Sequence, residues 1–352
     1  MIIVSRLAEV ERPELDRFLL EDSDVPIYPS VQFARFLECA IGISVVHLVA
    51  RDECGHIVGV LPFASLIAPE IGALLNSLPW YGSHGGCTVS PDRNEESREA
   101  LLRAFRTEID LPHVIASTVV LPIQEAQYVD TYVRILEPTA SEHRIGQSTR
   151  LPNPGPDAEK RLERVLEQKT RNLVRKSLKQ GFALLQGDDD SSWRFLCATH
   201  ADNMEAIGGK PKPWSHFAAI RGEIPGNARR LLIALDGDRP VAALLLLRFG
   251  RCVEYLTPTI VREYRSRQPM SFLIWHAMIE AIHDGFVDWN WGGTWESQRT
   301  LHHFKAGWGA IDRPYSYLSR ATPGGIDVLK RFRERLGELF PYFYAYPFTH
   351  LQ

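Results

Sequence analysis

Apolar and polar positions along the chain alternate in two long stretches of similar design. In the first, Ile2–Ser5 reads as a short strand, and Glu14–Leu20 and Val31–Ile41 read as helices, the second with Phe33, Phe36, Leu37 and Ala40 on one face. Ser44–Ala50 and His56–Leu61 predict a hairpin closed by the polar turn Arg51-Asp52-Glu53-Cys54-Gly55. The apolar run Leu74–Leu78 ends in Pro79-Trp80-Tyr81-Gly82-Ser83-His84-Gly85-Gly86. Glu95–Thr107 then predicts a helix, His113–Leu121 a strand and Tyr128–Leu136 a further extended segment.

The second stretch predicts a helix over Pro156–Gln180, helices at Ser192–Met204 and Trp214–Arg221, and strands at Leu231–Asp236, Val241–Arg248 and Cys252–Thr257. A helix follows from Pro269 to about Asp284, stopped by Gly285, then a strand through Val287–Trp291. Leu301–Gly307 reads as a short helix, Tyr315–Ser319 as a strand and Ile326–Leu339 as a terminal amphipathic helix. Between the two stretches, Pro138–Asp157 has four prolines and no period, which predicts an interdomain linker. The hairpin at Leu232–Leu244 repeats the strand, polar turn and strand of Leu48–Val60, a sign of internal duplication. This order of elements predicts an α/β protein with a mixed sheet and helices on its faces.

Composition narrows the chemistry. At 352 residues, two domains are expected. A net charge of -3 gives no overall pull toward nucleic acid or anionic membranes, so a polyanion has to be met by a local patch. The five cysteines are widely spaced and form no Cys-x-x-Cys pair, so neither a disulfide framework nor a metal site is expected. Without a long apolar run or a leader pattern, the expectation is a soluble cytoplasmic protein with no membrane insertion.

Two segments carry candidate chemistry. In Gly285–Ala310, a strand containing Trp289 and Trp291 runs into Gly292-Gly293, then Trp295, and Phe304-Lys305 precedes Gly307-Trp308-Gly309. A lysine between an aromatic wall and flexible residues suits an anionic or oxyanionic ligand. On the helix that opens the second stretch, Arg171, Arg175 and Lys179 fall at i, i+4 and i+8, and Lys169 and Lys176 add to the same turn. Arginine forks are matched to phosphate.

Thr170-Arg-Asn-Leu-Val-Arg-Lys-Ser-Leu-Lys-Gln-Gly-Phe182 is similar to the R-N-x-x-R-K-A-x-K-x-G helix of the Fem-type (FemABX) aminoacyltransferases, and Phe304-Lys305-Ala-Gly-Trp-Gly309 is similar to their F-K-x-x-F-G. Over most of its length the chain resembles these and the CelD-like acetyltransferases, which carry two GNAT units in tandem. Ser77-Leu-Pro79 with Gly85-Gly86, and Asp288–Gly293, are weaker points of likeness. Trp308 stands where the family has Phe, and Trp-Asn-Trp separates Asp288 from the glycine pair. The tRNA-handling enzymes often carry a coiled-coil arm, and no long heptad run is present.

The resemblance implies two GNAT-like domains, residues 1–145, on which the tail 320–352 packs, and a catalytic 158–319. It implies transfer of an acyl or aminoacyl group, from aminoacyl-tRNA or acyl-CoA, to an amine of a cell-envelope, polysaccharide or natural-product precursor. The alternative is a catalytically inactive GNAT-like binding protein. No tightly bound cofactor is expected. The partners expected are an amine-bearing or nucleotide-linked acceptor and a tRNA acceptor end, with no DNA. Lys305 and His84 are the catalytic candidates, one for developing negative charge, the other for proton transfer. Trp80, Tyr81, Arg171, Asn172, Arg175, Lys176, Gly292, Gly293, Trp295 and Phe304 are candidates for substrate binding. Trp80, Tyr81, Arg171, Arg175 and Trp295 are expected to line one cleft between the halves. Donor phosphates are assigned to Arg262, Arg265 and Arg267, because the turn Arg262–Met270 has no glycine and Pro269 lacks an N–H.

Overall fold

Two hairpins of largely buried strands begin equivalent halves of one sheet. The computed structural model describes residues 2–21, 24–77, 84–121 and 123–351. The strands are β1 (Ile3–Arg6), β2 (Ser44–Arg51), β3 (Ile57–Ala68), β4 (Gly72–Asn76), β5 (Thr88–Val89), β6 (Val114–Val120), β7 (Ala140–Arg150), β8 (Ala183–Gln186), β9 (Arg229–Asp236), β10 (Arg239–Phe249), β11 (Cys252–Ile260), β12 (Asp288–Thr294) and β13 (Ile311–Ala321). The helices are α1 (Arg12–Glu21), α2 (Val31–Ile41), α3 (Asn94–Ile109), α4 (Val129–Leu136), α5 (Ala158–Val165), α6 (Gln168–Leu178), α7 (Asp190–Glu205), α8 (Trp214–Glu223), α9 (Pro269–His283), α10 (Arg299–Gly307), α11 (Pro323–Arg331) and α12 (Leu336–Leu339).

Among the described residues the sheet runs β1-β2-β3-β4-β6-β13-β7-β12-β11-β10-β9-β8, with β5 paired to β3. Each half builds three antiparallel strands and then a parallel pair, β2-β3-β4 with β6 and β9-β10-β11 with β12. Parallel neighbours need a crossover, supplied by α3 in one half and α9 in the other. The next strand of each half is exchanged. β7 follows the first half in sequence but pairs with β12, whereas β13 follows the second and pairs with β6. β7 and β13 also pair with each other, which joins the halves into one sheet.

This exchange corrects the linker expectation, since residues 140–150 are strand β7 at the middle of the sheet. Its buried positions include Gln147, Ser148 and Thr149, so an apolar period is absent from a strand that is nonetheless interior. The segment after 128 is helical, not extended. Its β-branched residues favour a strand, but Tyr132, Ile135 and Leu136 bury together at helical spacing. The expected long helix is broken into α5 and α6 where the Glu167 N–H donates to the Gly307 carbonyl instead of continuing the helix. The terminal helix likewise breaks into α11, a 3-10 turn and α12. The short edge strand β8 was not anticipated.

The cores show how closely the halves are joined. Leu15, Phe33 and Phe36 of α1 and α2 share one cluster with Trp193, Phe217 and Ile220 of α7 and α8. On the opposite face, α5, α6 and α9 cover β9–β12, and α3 and α4 cover β2–β6. The C-terminal segment returns to the first half, where Leu329, Leu336 and Phe340 pack on Leu74, Ile115 and Ala116.

Candidate active site

β11 and β12 pair only at Cys252–Asp288, Val253–Trp289 and Glu254–Asn290, although they run on to Ile260 and Thr294. Register shifts on the outer side of each strand, between Leu245 and Leu246 of β10 and between Asn290 and Gly293 of β12, accompany the divergence. Such irregularities bend the strand that carries them. A fork therefore opens just past Glu254 and Asn290.

Val253 and Tyr255 join the core under α9, so Glu254 points to the other face. It is 4% exposed, and its Oε2 accepts hydrogen bonds from Tyr28 Oη at 2.9 Å and Asn290 Nδ2 at 2.8 Å. Glu254 Oε1 has no hydrogen-bond partner among the described residues. Burial pushes the carboxyl up to about 8, against the two hydrogen bonds and with the help of nearby Asp288. Asn290 Oδ1 accepts from the Gly292 N–H, which turns Nδ2 toward the carboxylate. The same Nδ2 lies 3.4 Å from His84 Nε2. His84 meets Tyr28 and Tyr315 edge to face, at centroid distances of 6.1 and 5.9 Å.

Tyr28 and His84 also line a cleft in which Pro26, Pro62, Gly85 and Glu125 take part. The arrangement is a buried carboxyl, shielded from solvent, with a phenol and an imidazole between it and the cleft. Such a carboxyl is a stronger base than an exposed one and accepts protons near neutral pH. Trp80 and Tyr81, expected beside His84, lie outside the described residues.

Lys305 is 3% exposed. Its Nζ donates to the carbonyls of Gly292 and Gly293, at 3.2 and 3.1 Å, and to Thr294 Oγ1 at 2.7 Å. Thr294 donates in turn to Gln147 of β7. Burial pushes the ammonium down to about 8. The sequence suggests a cation available to a ligand, whereas here these three donor bonds tie α10 to the end of β12. Gly292 adopts φ +71°, and a Cβ on Gly293 would lie 2.3 Å from Tyr315 Oη, so both glycines serve the fork's backbone. Phe304 is half-exposed and stands edge-on to Trp291. Trp295 is exposed, with the Arg144 guanidinium stacked 3.6 Å from its ring centroid.

The two segments that carry the family likeness meet in space. A Cβ on Gly307 would fall 2.4 Å from Thr170 Oγ1, and one on Gly309, at φ +77°, 2.3 Å from Val165 Cγ1. Gly309→Ala is accordingly expected to destabilise the protein by about 2–4 kcal/mol, through a left-handed backbone and overpacking against α5. Urea unfolding checks this, and an unchanged midpoint contradicts it.

The basic helix does not join this cleft. Arg171 donates to the carbonyls of Glu163 and Leu166, and Arg175 pairs with the Glu163 carboxylate. Together with Lys160 and Arg164 they line a separate shallow groove between α5 and α6, which corrects the single cleft expected from sequence. Asn172 and Lys176 are exposed on the same helix. Of the donor candidates, Arg262 and Arg265 are exposed, whereas Arg267 is held by Asp236 at 2.6 Å and by the Gln180 carbonyl. Arg267 thus braces the turn before α9.

Residues 164–305 match the Acetyltransferase (GNAT) domain. This stretch of the second half carries the GNAT-domain pattern. The fold of the chain is that of tandem GNAT proteins, with two GNAT-like units in one mixed sheet. It is similar to the crystal structure of FemX, with a TM-score of 0.72 and 14% identity over 89% of this chain and 96% of that one. A tandem GNAT protein from the clavulanic acid biosynthesis pathway aligns with a TM-score of 0.52 and 12% identity, covering 91% of this chain and 98% of that chain. The C-terminal domain of a proposed lysylphosphatidylglycerol synthetase from Agrobacterium fabrum aligns at 0.58 and 10% identity, over 93% and 96% of the two chains. No curated protein matches the sequence. Among the described residues no helix is long and apolar enough to cross a membrane.

Sequence reasoning passed over Glu254, Asn290 and Tyr28. A signal for the first was available, since Glu254 is the one acid in an otherwise uncharged run, Cys252–Ile260. An acid at such a position has to be satisfied inside the protein. Tyr28 is 226 residues away from it, and no local pattern joins the two.

Proposed function

We propose that the protein is an N-acyltransferase or aminoacyltransferase, carrying an acyl or aminoacyl group from an activated donor to the amine of a cell-envelope, polysaccharide or natural-product precursor. The observation that carries this reading is Glu254, a buried carboxyl pushed up to about 8 and hydrogen-bonded to a tyrosine that lines the cleft. An amine attacks a thioester or ester only after losing its ammonium proton. Tyr28 Oη takes that proton from the amine as it gives its own to Glu254 Oε2, so one proton reaches the carboxylate and the phenol is unchanged. His84 orients Asn290 and closes the other side of the cleft. Lys305 acts as a positioning residue that fixes the end of β12. The names of two structural neighbours, a proposed lysylphosphatidylglycerol synthetase domain and a tandem GNAT protein of the clavulanic acid biosynthesis pathway, support these classes of donor and acceptor.

The donor is proposed to be aminoacyl-tRNA, with acyl-CoA as the competing choice. The turn before α9 presents Pro269 without an N–H and Gln268 in the left-handed region, so few backbone donors face a pyrophosphate. Exposed Arg262 and Arg265 offer side-chain charge instead. Binding of aminoacyl-tRNA should weaken steeply with salt. Filter binding with aminoacyl-tRNA and calorimetry with acetyl-CoA, each across a salt series and followed by mass spectrometry of an added amine panel, tests donor and reaction together. Stoichiometric, salt-insensitive binding of acetyl-CoA with no RNA binding reverses the choice of donor. Binding without any acylated amine supports the inactive binding protein in place of the enzyme.

A further inference from the structure

The cleft beside Glu254 has a definite charge character. Its lining includes the acidic residues Asp24 and Glu125, and no lysine or arginine is among its described lining residues. Arg98 holds both oxygens of Glu125 from behind and is fully buried, and Arg251 pairs with Asp24 at 2.8 Å from the protein surface. Neither arginine lines the cleft. The remaining walls are largely apolar, with Val25, Pro26 and Pro62 among them. Beyond Val89 the surface continues into a second groove that carries Glu14 and Glu21 against Arg17. The cluster of arginines able to grip phosphate sits elsewhere, between α5 and α6.

A phosphate brought into such a cleft would lose its water without meeting a cation on the described walls, and would lie beside two acidic residues whose arginine partners stand outside the cleft. An ammonium on an apolar stem meets the opposite conditions. We infer that this cleft selects acceptors that are positively charged and free of phosphate, and turns away nucleotide-linked amines. The inference rests on the acyl-transfer reading in one respect, that the occupant of the cleft is the acceptor. Selection here works by repulsion as much as by attraction, because the carboxylates penalise any anionic group near the reacting nitrogen.

The test is calorimetry with cadaverine, pentylamine and δ-aminovalerate, which share a five-carbon stem and an amine and differ in the charge at the far end. Cadaverine and pentylamine are expected to bind, with δ-aminovalerate weaker by about tenfold or more. Glu125→Gln strips buried Arg98 of its partner and endangers the fold, so exposed Asp24 carries the mutational arm. Asp24→Lys should abolish or reverse the preference, and Asp24→Asn should reduce it. Equal or tighter binding of δ-aminovalerate, failure of all three to bind at millimolar concentration, or an order unmoved by Asp24→Lys overturns the inference. Repeating the titration with Glu254→Gln separates the two readings. Retained amine selectivity in a protein whose wild type transfers no acyl group overturns the transfer reading alone.

Discussion

Glu254→Gln is expected to lower turnover by about a hundredfold to ten-thousandfold while making the protein more stable above neutral pH. Both effects come from one carboxyl. In its proposed role as base it takes the proton that leaves the attacking amine, and an amide has no such capacity. As a buried group, its folded pKa of about 8 lies above the ordinary 4.5. Between those values the native state holds a proton that the unfolded state has released, so stability falls as pH rises, by up to about 1.4 kcal/mol per pH unit. The contribution is fully present below the unfolded pKa and is lost as pH rises through the folded one. Glutamine keeps an oxygen for Tyr28 and Asn290 and never ionises, so its unfolding midpoint should not show that fall. A purely structural Glu254 would yield a variant of nearly full activity, and an exposed one would give no difference in pH dependence.

Lys305→Ala is expected to cost about 2–4 kcal/mol of stability and to lower turnover by about a hundredfold. Its removal takes the ammonium donor from two part-buried backbone carbonyls and from the Thr294 hydroxyl, which keeps its bond to Gln147. Each lost charge-assisted bond costs about 1.5–3 kcal/mol, partly offset because a desolvated ammonium is no longer buried. The fork between β11 and β12 then loses the contact that fixes Gly292 and Gly293, and Asn290 and Glu254 sit at its mouth. A lysine acting on an oxyanion would behave differently. Its removal would lower turnover with stability unchanged or raised, because an unsatisfied charge would leave the interior. Thermal unfolding beside kinetics separates the two roles.

The repeated hairpins, the helix opened by Pro269 and the glycine-flanked lysine were all legible, because each is written in local spacing. Legibility failed where tertiary contacts decide. Strand β7 shows no apolar period because Gln147 and Thr149 are buried as hydrogen-bonding groups, meeting Thr294, Trp291 and the Trp308 carbonyl. The break between α5 and α6 depends on a carbonyl at Gly307, far along the chain. Lys305 was visible as an unusual lysine, but its acceptors lie on β12, across a turn whose path the sequence does not specify. The basic run on α6 looked like a ligand site, and Glu163 on the preceding helix draws Arg171 and Arg175 into a groove of their own.

The central claim is that Glu254 is the base of an acyl transfer to an amine. It is tested most directly by the pH dependence of the transfer rate in wild type and in Glu254→Gln, with the acceptor held saturating. The wild-type rate should climb with unit slope below about 8 and level off above it, following the folded carboxyl. The variant should show a low rate without that inflection. Identical profiles in the two proteins, or a wild-type rate flat through this range, would contradict the assignment.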